Sequence, residues 1–600
     1  MKGLAVLSPK RCHRSWSGTA AFRRARWWKR NTMTLVLGSV LLGGVGLVRS
    51  SAGAWRAGGT TRSRPGAAAP VAIETSSLAR GSCGTGFRSH TLAHTTQARD
   101  VSVLPYDTNG SGLAVGDLDG DGQTDLVLGD LRSFTSVMWN AGGFRFTRKP
   151  LQDAAGVGLT ESETRAVSIV DVDGDGRLDI VTTHTRGGVA VWHNNGDRTF
   201  TSSTIDDVIF PAYSMLWDDI DGDGDLDFVT ASYDALLEKE EGSSFLTSAG
   251  GGVNVFINSG RGFRATRLAK ATQTLAMTMF DTNGDGKRDL IVGNDFGVPD
   301  MIWEVNGADP KTWKLSMPFR RISKNTMGFA IGDLRNDAML DLFATDMKPN
   351  LADVKIAASW MPLMERSFQK LQRSNVQRAE NVLQEQSKSA TFVNKGYEKH
   401  VDATGWSWSA QFGDLDNDGR EDLYVVNGMI DHEVLPYLPN DEIAEPNVVF
   451  RVDSSNSFHR TPSWGLNAMA SGRSMAMADF NGDGRLDIVV NNLRSPSVIF
   501  ENQLCGGTPM TIRLRWSGKQ NVSGFGSMVT VRTTAGTFTR LVNPTGGYLT
   551  GLDGLVQVGL GGAKVESIDV TWPDGAKSTI RKTDTPSQLA GTAVTLTRNG

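Results

Sequence analysis

Short apolar runs recur along most of the chain, each interrupted by a loop of aspartate and glycine. In the first clear instance Leu113-Ala-Val-Gly leads into Asp117-Leu-Asp119-Gly-Asp121-Gly-Gln-Thr-Asp125, and Leu-Val-Leu follows. The layout returns with first acids at Asp171, Asp219, Asp281, Asp333, Asp414 and Asp479, at separations of 54, 48, 62, 52, 81 and 65 residues. Runs as short as Val167-Ser-Ile-Val before Asp171 and Leu178-Asp-Ile-Val-Thr after it predict a β-hairpin with the loop at its tip. In four units an apolar strand then ends in asparagine, at Asn140, Asn194, Asn258 and Asn502, and aromatic residues such as Phe144, Phe200, Phe263 and Phe458 open the next strand. Four short strands in roughly 50 residues make one propeller blade, so the pattern predicts an all-β fold with a seven-bladed β-propeller over residues 83–505.

Two units carry insertions. Residues 238–250 are polar and end in glycine, whereas residues 357–387 lack glycine, place apolar residues at helical spacing and predict one or two surface helices. Beyond the repeats, residues 506–600 alternate strands such as Met510–Trp516 and Phe538–Val542 with glycine-rich turns and predict a small β domain.

The loop spacing carries the chemistry. Oxygen ligands at positions 1, 3, 5 and 9, a main-chain carbonyl at position 7 and a turn glycine at position 6 surround one hard divalent cation. Calcium fits best, because magnesium demands a stricter octahedron and keeps its water. The full ligand sets are Asp117, Asp119, Asp121 and Asp125; Asp171, Asp173, Asp175 and Asp179; Asp219, Asp221, Asp223 and Asp227; and Asp414, Asp416, Asp418 and Asp422. Two loops place asparagine at position 3, giving Asp281, Asn283, Asp285 and Asp289, and Asp479, Asn481, Asp483 and Asp487; the amide oxygen remains a competent ligand. Position 7 varies freely, as expected if only its carbonyl is used. Asp-Gly sequences also serve as plain hairpin turns, but turn chemistry does not account for a ninth-position aspartate in all seven loops.

The fifth loop departs from the pattern. Arg335 replaces the third ligand and Ala338 the turn glycine, which predicts a site without metal in which the guanidinium stands among the acids.

Charge changes the picture in two ways. The formal −3 divides into +10 on residues 1–54 and −13 on the remainder. An acidic body argues against nucleic acid as a partner, and six divalent ions would bring it close to neutral. In the basic first segment, Arg23, Arg24, Arg26, Lys29 and Arg30 precede an uncharged run from Met33 to Val48, followed by Ala52-Gly53-Ala54. This reads as a signal peptide over residues 1–54, with a retained membrane segment as the weaker reading because the run is short and contains four glycines. The expected location is extracellular, periplasmic or at the cell surface. Residues 55–82, rich in Gly, Ala, Arg and Thr, read as a flexible linker. Cys83 and Cys505 flank the predicted ring and suggest a clasp disulfide in an exported protein.

No zinc-protease pattern or Gly-x-Ser-x-Gly elbow occurs; His90 and His94 read as a structural pair, and Trp406 and Trp408 as core. Asn109-Gly-Ser111 and Asn521-Val-Ser523 match the glycosylation pattern, which matters only in a eukaryotic host.

The loops, with the strand and Asn-Gly turn that follow, resemble the FG-GAP or VCBS repeat of integrin α-subunit propellers and many exported bacterial proteins, over about residues 100–502. Gly524-Phe-Gly526, Gly546-Gly-Tyr548, Val558-Gly-Leu-Gly561 and Ile568-Asp-Val-Thr-Trp572-Pro-Asp-Gly575 resemble the ASPIC and UnbV domain. The combination is similar to the cartilage acidic protein family, whose animal members are secreted calcium-binding matrix proteins. The resemblance implies calcium and export and supplies no catalytic residue. Two functions follow: an extracellular binding or adhesion module for a protein or glycan, or, by fold analogy alone, a calcium-dependent hydrolase or lyase using the axial pocket of the propeller.

Overall fold

The first loop joins Leu113–Gly116 to Asp125–Leu128, and Ser136–Asn140 and Phe146–Pro150 complete an antiparallel meander. The register sets Gly116 opposite Asp125, so residues 117–124 form the tip. The inner three strands are buried throughout and only the fourth faces solvent, because both faces of the sheet pack against neighbouring sheets. These relationships come from a computed structural model that describes residues 66–600 apart from short internal stretches, the longest being 236–250 and 368–375.

Seven sheets of this kind occur among the described residues. Their first strands touch in sequence: Leu113–Gly116, Thr164–Val170, Ser214–Asp218, Thr274–Phe280, Phe329–Gly332, Gly405–Gly413 and Gly472–Ala478, and the last touches the first again. The arrangement is a β-propeller. Large apolar side chains fill the spaces within and between sheets; Phe228 stacks on Phe256 at 4.3 Å and meets Trp217 at 4.8 Å in a tilted pair. The outer strand of the last sheet comes from the other end of the ring, Phe87–Thr95 pairing antiparallel with Pro496–Asn502. Just beyond that register Cys83 and Cys505 form a disulfide, their Cα atoms 5.2 Å apart.

The C-terminal region forms two four-stranded sheets. One orders Val71–Ser77, Thr592–Asn599, Pro509–Ser517 and Val556–Gly559; the other orders Thr537–Leu541, Met528–Thr533, Val565–Thr571 and Lys577–Arg581. Ile512, Leu514, Val531, Ile568, Trp572 and Leu596 belong to the buried core they share. Val71–Ser77 corrects the reading of residues 55–82 as a linker: Val71 and Ile73 alternate with exposed residues and pack against that core, a period too short to stand out among Gly, Ala and Thr.

From this domain a hairpin, Thr545–Gly546 and Thr550–Gly551, enters the ring axis. Thr550 and Gly551 pair in parallel with Leu113 and Ala114, and Gly547 exchanges main-chain hydrogen bonds with Phe329. Gly547 has φ +56°, and a Cβ there would stand 2.1 Å from Ser409 Oγ, so only glycine fits. The Tyr548 hydroxyl shares a 2.8 Å hydrogen bond with the Tyr213 hydroxyl and donates to the Asn109 carbonyl at 2.9 Å. The protein's own hairpin therefore occupies part of the axial space on which an enzymatic reading relies.

The second insertion is also corrected. One helix, Val354–Ser367, precedes residues 368–375, and Val382–Gln386 then form the third strand of the fifth sheet. The missing glycines concealed a strand whose Gln384 and Gln386 are buried polar residues. Trp360 of the helix is buried, stands 5.5 Å from Trp406 and donates to Glu445 Oε1 at 2.8 Å. Residues 1–54, Cys12 among them, and all of 238–250 lie outside the described residues.

Candidate metal centre

All seven loops share one hydrogen-bonded frame. The position-6 amide donates to Oδ2 of the first aspartate in each: Gly122 to Asp117, Gly176 to Asp171, Gly224 to Asp219, Gly286 to Asp281, Ala338 to Asp333, Gly419 to Asp414 and Gly484 to Asp479, at 2.8–3.1 Å. This curls the turn around the first acid. The glycine at that position has positive φ in the six regular loops, and so does Ala338 at +67°, a conformation costly for alanine.

The ninth aspartate does structural work that the spacing alone did not reveal. Its Oδ2 accepts from the position-2 amide at 2.9–3.2 Å in six loops, as Leu118 to Asp125 and Leu415 to Asp422. Its Oδ1 accepts from an amide at the end of the third strand in all seven, as Asn140 to Asp125 and Asn502 to Asp487, at 2.7–3.1 Å. The ninth acid thus ties the hairpin tip to the third strand, while its oxygens keep a second lone pair for a cation.

Ligand oxygens converge. Asp117, Asp119 and Asp125; Asp171, Asp173 and Asp175; Asp219, Asp221 and Asp227; and Asp414, Asp416 and Asp418 each place three carboxylate oxygens within 4.8 Å of one another. The two asparagine-containing loops, Asp281 to Asp289 and Asp479 to Asp487, do not form such a group of three acids among the described residues. Burial pushes the carboxyls up, Asp125 to about 7, Asp171 and Asp179 to about 6, and Asp414 to about 8, with neighbouring carboxylates adding to the effect. Asp219, Asp227, Asp422 and Asp487 lie well above the usual range for the same reasons. Oδ1 atoms of Asp117, Asp219 and Asp416 are buried without a hydrogen-bond partner. Orphaned acceptors among crowded acids are what a divalent cation would satisfy.

The protein carries its own counter-charges at some loops. In the fifth, Arg335 Nη2 donates to Asp341 at 2.9 Å and stands 3.6 Å from Asp337. Arg451, on the third strand of the sixth sheet, reaches Asp416 at 2.5 Å and Asp418 at 2.8 Å. Arg198 crosses from the second sheet to Asp119 at 2.6 Å. His193 Nδ1 faces Asp173 at 3.3 Å. The last three were not found from the sequence, since each approaches from a strand or turn outside the loop it touches.

Comparison with known proteins agrees with this anatomy. The FG-GAP-like repeat family matches residues 117–182, 171–230 and 439–490, and the ASPIC and UnbV family matches residues 517–596. The chain carries FG-GAP-like repeats and an ASPIC and UnbV domain. It is similar to cartilage acidic protein 1 of Mus musculus, 21% identical over 541 residues covering 79% of this chain and 73% of the mouse protein. The Xenopus tropicalis protein of the same name is 21% identical over 521 residues, with the same coverage. Among solved structures, YCF48 from Cyanidioschyzon merolae is 12% identical with a TM-score of 0.36, covering 70% of this chain and 99% of that one.

The asparagines that end the third strands of the FG-GAP-like repeats join one repeat to the next. Asn140 Nδ2 donates to Phe480 O at 2.9 Å, Asn194 to Leu118 O at 2.6 Å and Asn502 to Leu415 O at 2.8 Å, each acceptor being position 2 of the preceding loop. At the second-to-third junction Gln520 of the ASPIC and UnbV domain intervenes: it accepts from Asn258 at 2.7 Å and donates to Val172 O. Both glycosylation-pattern asparagines, Asn109 and Asn521, are buried, and Asn521 is bonded through its side chain to Phe525. Neither is accessible for modification. His90 and His94 do not share a site: His90 pairs with Glu501 at 2.8 Å, while His94 is buried against Ser136.

Proposed function

We propose that this is an exported calcium-binding propeller that acts outside the cytoplasm as a binding or adhesion module for a protein or glycan. The observation that carries the calcium reading is the repeated frame, in which the first acid curls the turn, the ninth anchors it and unpartnered carboxylate oxygens face the space between them. About six such loops hold calcium, with the fifth using Arg335 instead. Likeness to proteins named for cartilage and acidity supports a module acting outside cells. The Cys83–Cys505 disulfide supports the same compartment, since such bonds persist in oxidising surroundings. Partners meet the outer surfaces of the ring, because Tyr548 and its hairpin take up part of the axis. The hydrolase or lyase reading gains no support from that arrangement.

The test joins metal analysis of the purified protein with an array of glycans and matrix proteins. Saturable, calcium-dependent binding without turnover is the expected result. Metal-dependent turnover of a polysaccharide or phosphoester would overturn the module reading, and absence of bound calcium would overturn the metal reading.

A further inference from the structure

The carboxylate loops differ in what lies over them. In the second and fourth loops Asp173, Asp175, Asn283 and Asp285 are exposed. The third loop has no exposed residue, and its Asp219 and Asp227 are 1% and 0% exposed. The difference comes from the C-terminal domain. Lys519 Nζ donates to Asp223 O at 2.6 Å, the Asn521 amide donates to Gly224 O at 2.9 Å, and Gln520 Oε1 accepts from the Leu226 amide at 2.9 Å. On the other side of the turn, a Cβ at Gly222 would stand 3.1 Å from Pro573 O. Arg288 completes the clamp, pairing with Asp218 at 2.9 Å and donating both to Asp219 O and to Gly526 O of the domain.

Asp219 Oδ1 sits inside this enclosure with no hydrogen-bond partner, and a carboxylate oxygen of Asp219 lies within 4.8 Å of one from Asp221 and one from Asp227. The sixth loop is covered only over its first acid: the Gly559 amide donates to Asp414 Oδ2 at 2.9 Å and Gln557 donates to Asp414 O at 3.3 Å, while Asp418 stays exposed. In both loops the domain binds the loop itself rather than a neighbouring surface.

We infer that the third loop holds an occluded cation, which leaves only when the C-terminal domain lifts from the ring, whereas the second and fourth loops exchange theirs freely. The inference rests on the calcium reading above and adds its regulation. By linkage, the occluded ion fastens the domain to the propeller, and anything that pulls the domain away releases it. Depletion of external calcium then acts in two stages, with the open loops emptied first and the ring and domain still joined.

The full-length protein is loaded with radioactive calcium and diluted into excess chelator, and the retained label is followed in time. Two phases are expected, the slow one holding at least one ion and decaying ~100-fold or more slowly, because release requires the domain to open. Asp219→Asn should remove one ion from the slow phase, and Asp281→Asn one from the fast phase. If Asp219→Asn does not fold, Asp221→Asn serves the same purpose. Release of every ion in one fast phase, or loss of a fast ion in Asp219→Asn, overturns the occlusion while leaving calcium binding intact. Failure to retain label before dilution overturns both.

Discussion

The guanidinium of Arg335 lies 2.9 Å from the carboxylate of Asp341, inside a loop that keeps the position-6 and third-strand hydrogen bonds of the other six repeats. A covalently attached cation occupies the place of a ligand, and the acids around it keep their positions. Arg335→Ala is expected to destabilise the protein by about 1–3 kcal/mol, since it strips a buried carboxylate of its charged partner. Urea denaturation reads the change. Arg335→Asp combined with Ala338→Gly restores the ligand and the turn, and metal analysis should then find one more calcium per chain. Asp337→Ala alone should leave the calcium count as it was.

Chelation should lower the melting temperature by many degrees, with recovery on adding calcium back. Each ion present at 100 times its dissociation constant contributes about 2.7 kcal/mol to the folded state. Calorimetry with and without chelator makes the measurement, and coincident scans would show that the loops hold the repeats without help from metal.

The metal-free protein should lose stability as pH rises. Asp125, Asp171, Asp414 and Asp479 have folded-state values of about 7, 6, 8 and 6, above the range of an unfolded aspartate near 4. The folded chain therefore binds more protons than the unfolded chain between about pH 4 and pH 8, and stability falls across that window. Calcium replaces those protons, so the loaded protein should show a much flatter profile. Midpoints of chemical denaturation at several pH values, with calcium or with chelator, test the difference; a chelated protein that gains stability toward pH 8 would contradict the assigned burial.

Much of this was legible in the sequence. Acids at fixed offsets and turn glycines recur on a local scale, so the hairpins and the candidate ligands could be read one loop at a time. What escaped was set by contacts between distant parts of the chain. Tyr548 meets Tyr213 across 335 positions, and Gln520 reaches Val172 across 348. No local period announces either contact. Val382–Gln386 was hidden for another reason: its polar side chains are buried against the preceding repeat, Gln386 donating to Asp281 O, whereas alternation rules expect them to face water.

Loss of the Cys83–Cys505 bond, by Cys83→Ser, should cost about 2–4 kcal/mol, because the bond constrains a long segment of the unfolded chain. The strand pairing of Phe87–Thr95 with Pro496–Asn502 remains, so the variant should still fold at moderate temperature. Thermal melts with and without reductant, using the variant as control, should superimpose only for the variant.

Val71–Ser77 finds its hydrogen-bonding partner in Thr592–Asn599, seven matched positions that bring one of the earliest described segments onto one of the latest. That sheet cannot be completed until Thr592–Asn599 has left the ribosome. The edge of Val71–Ser77 consequently waits unpaired while the propeller between the two is made, and a premature stop before residue 592 would leave it without a mate.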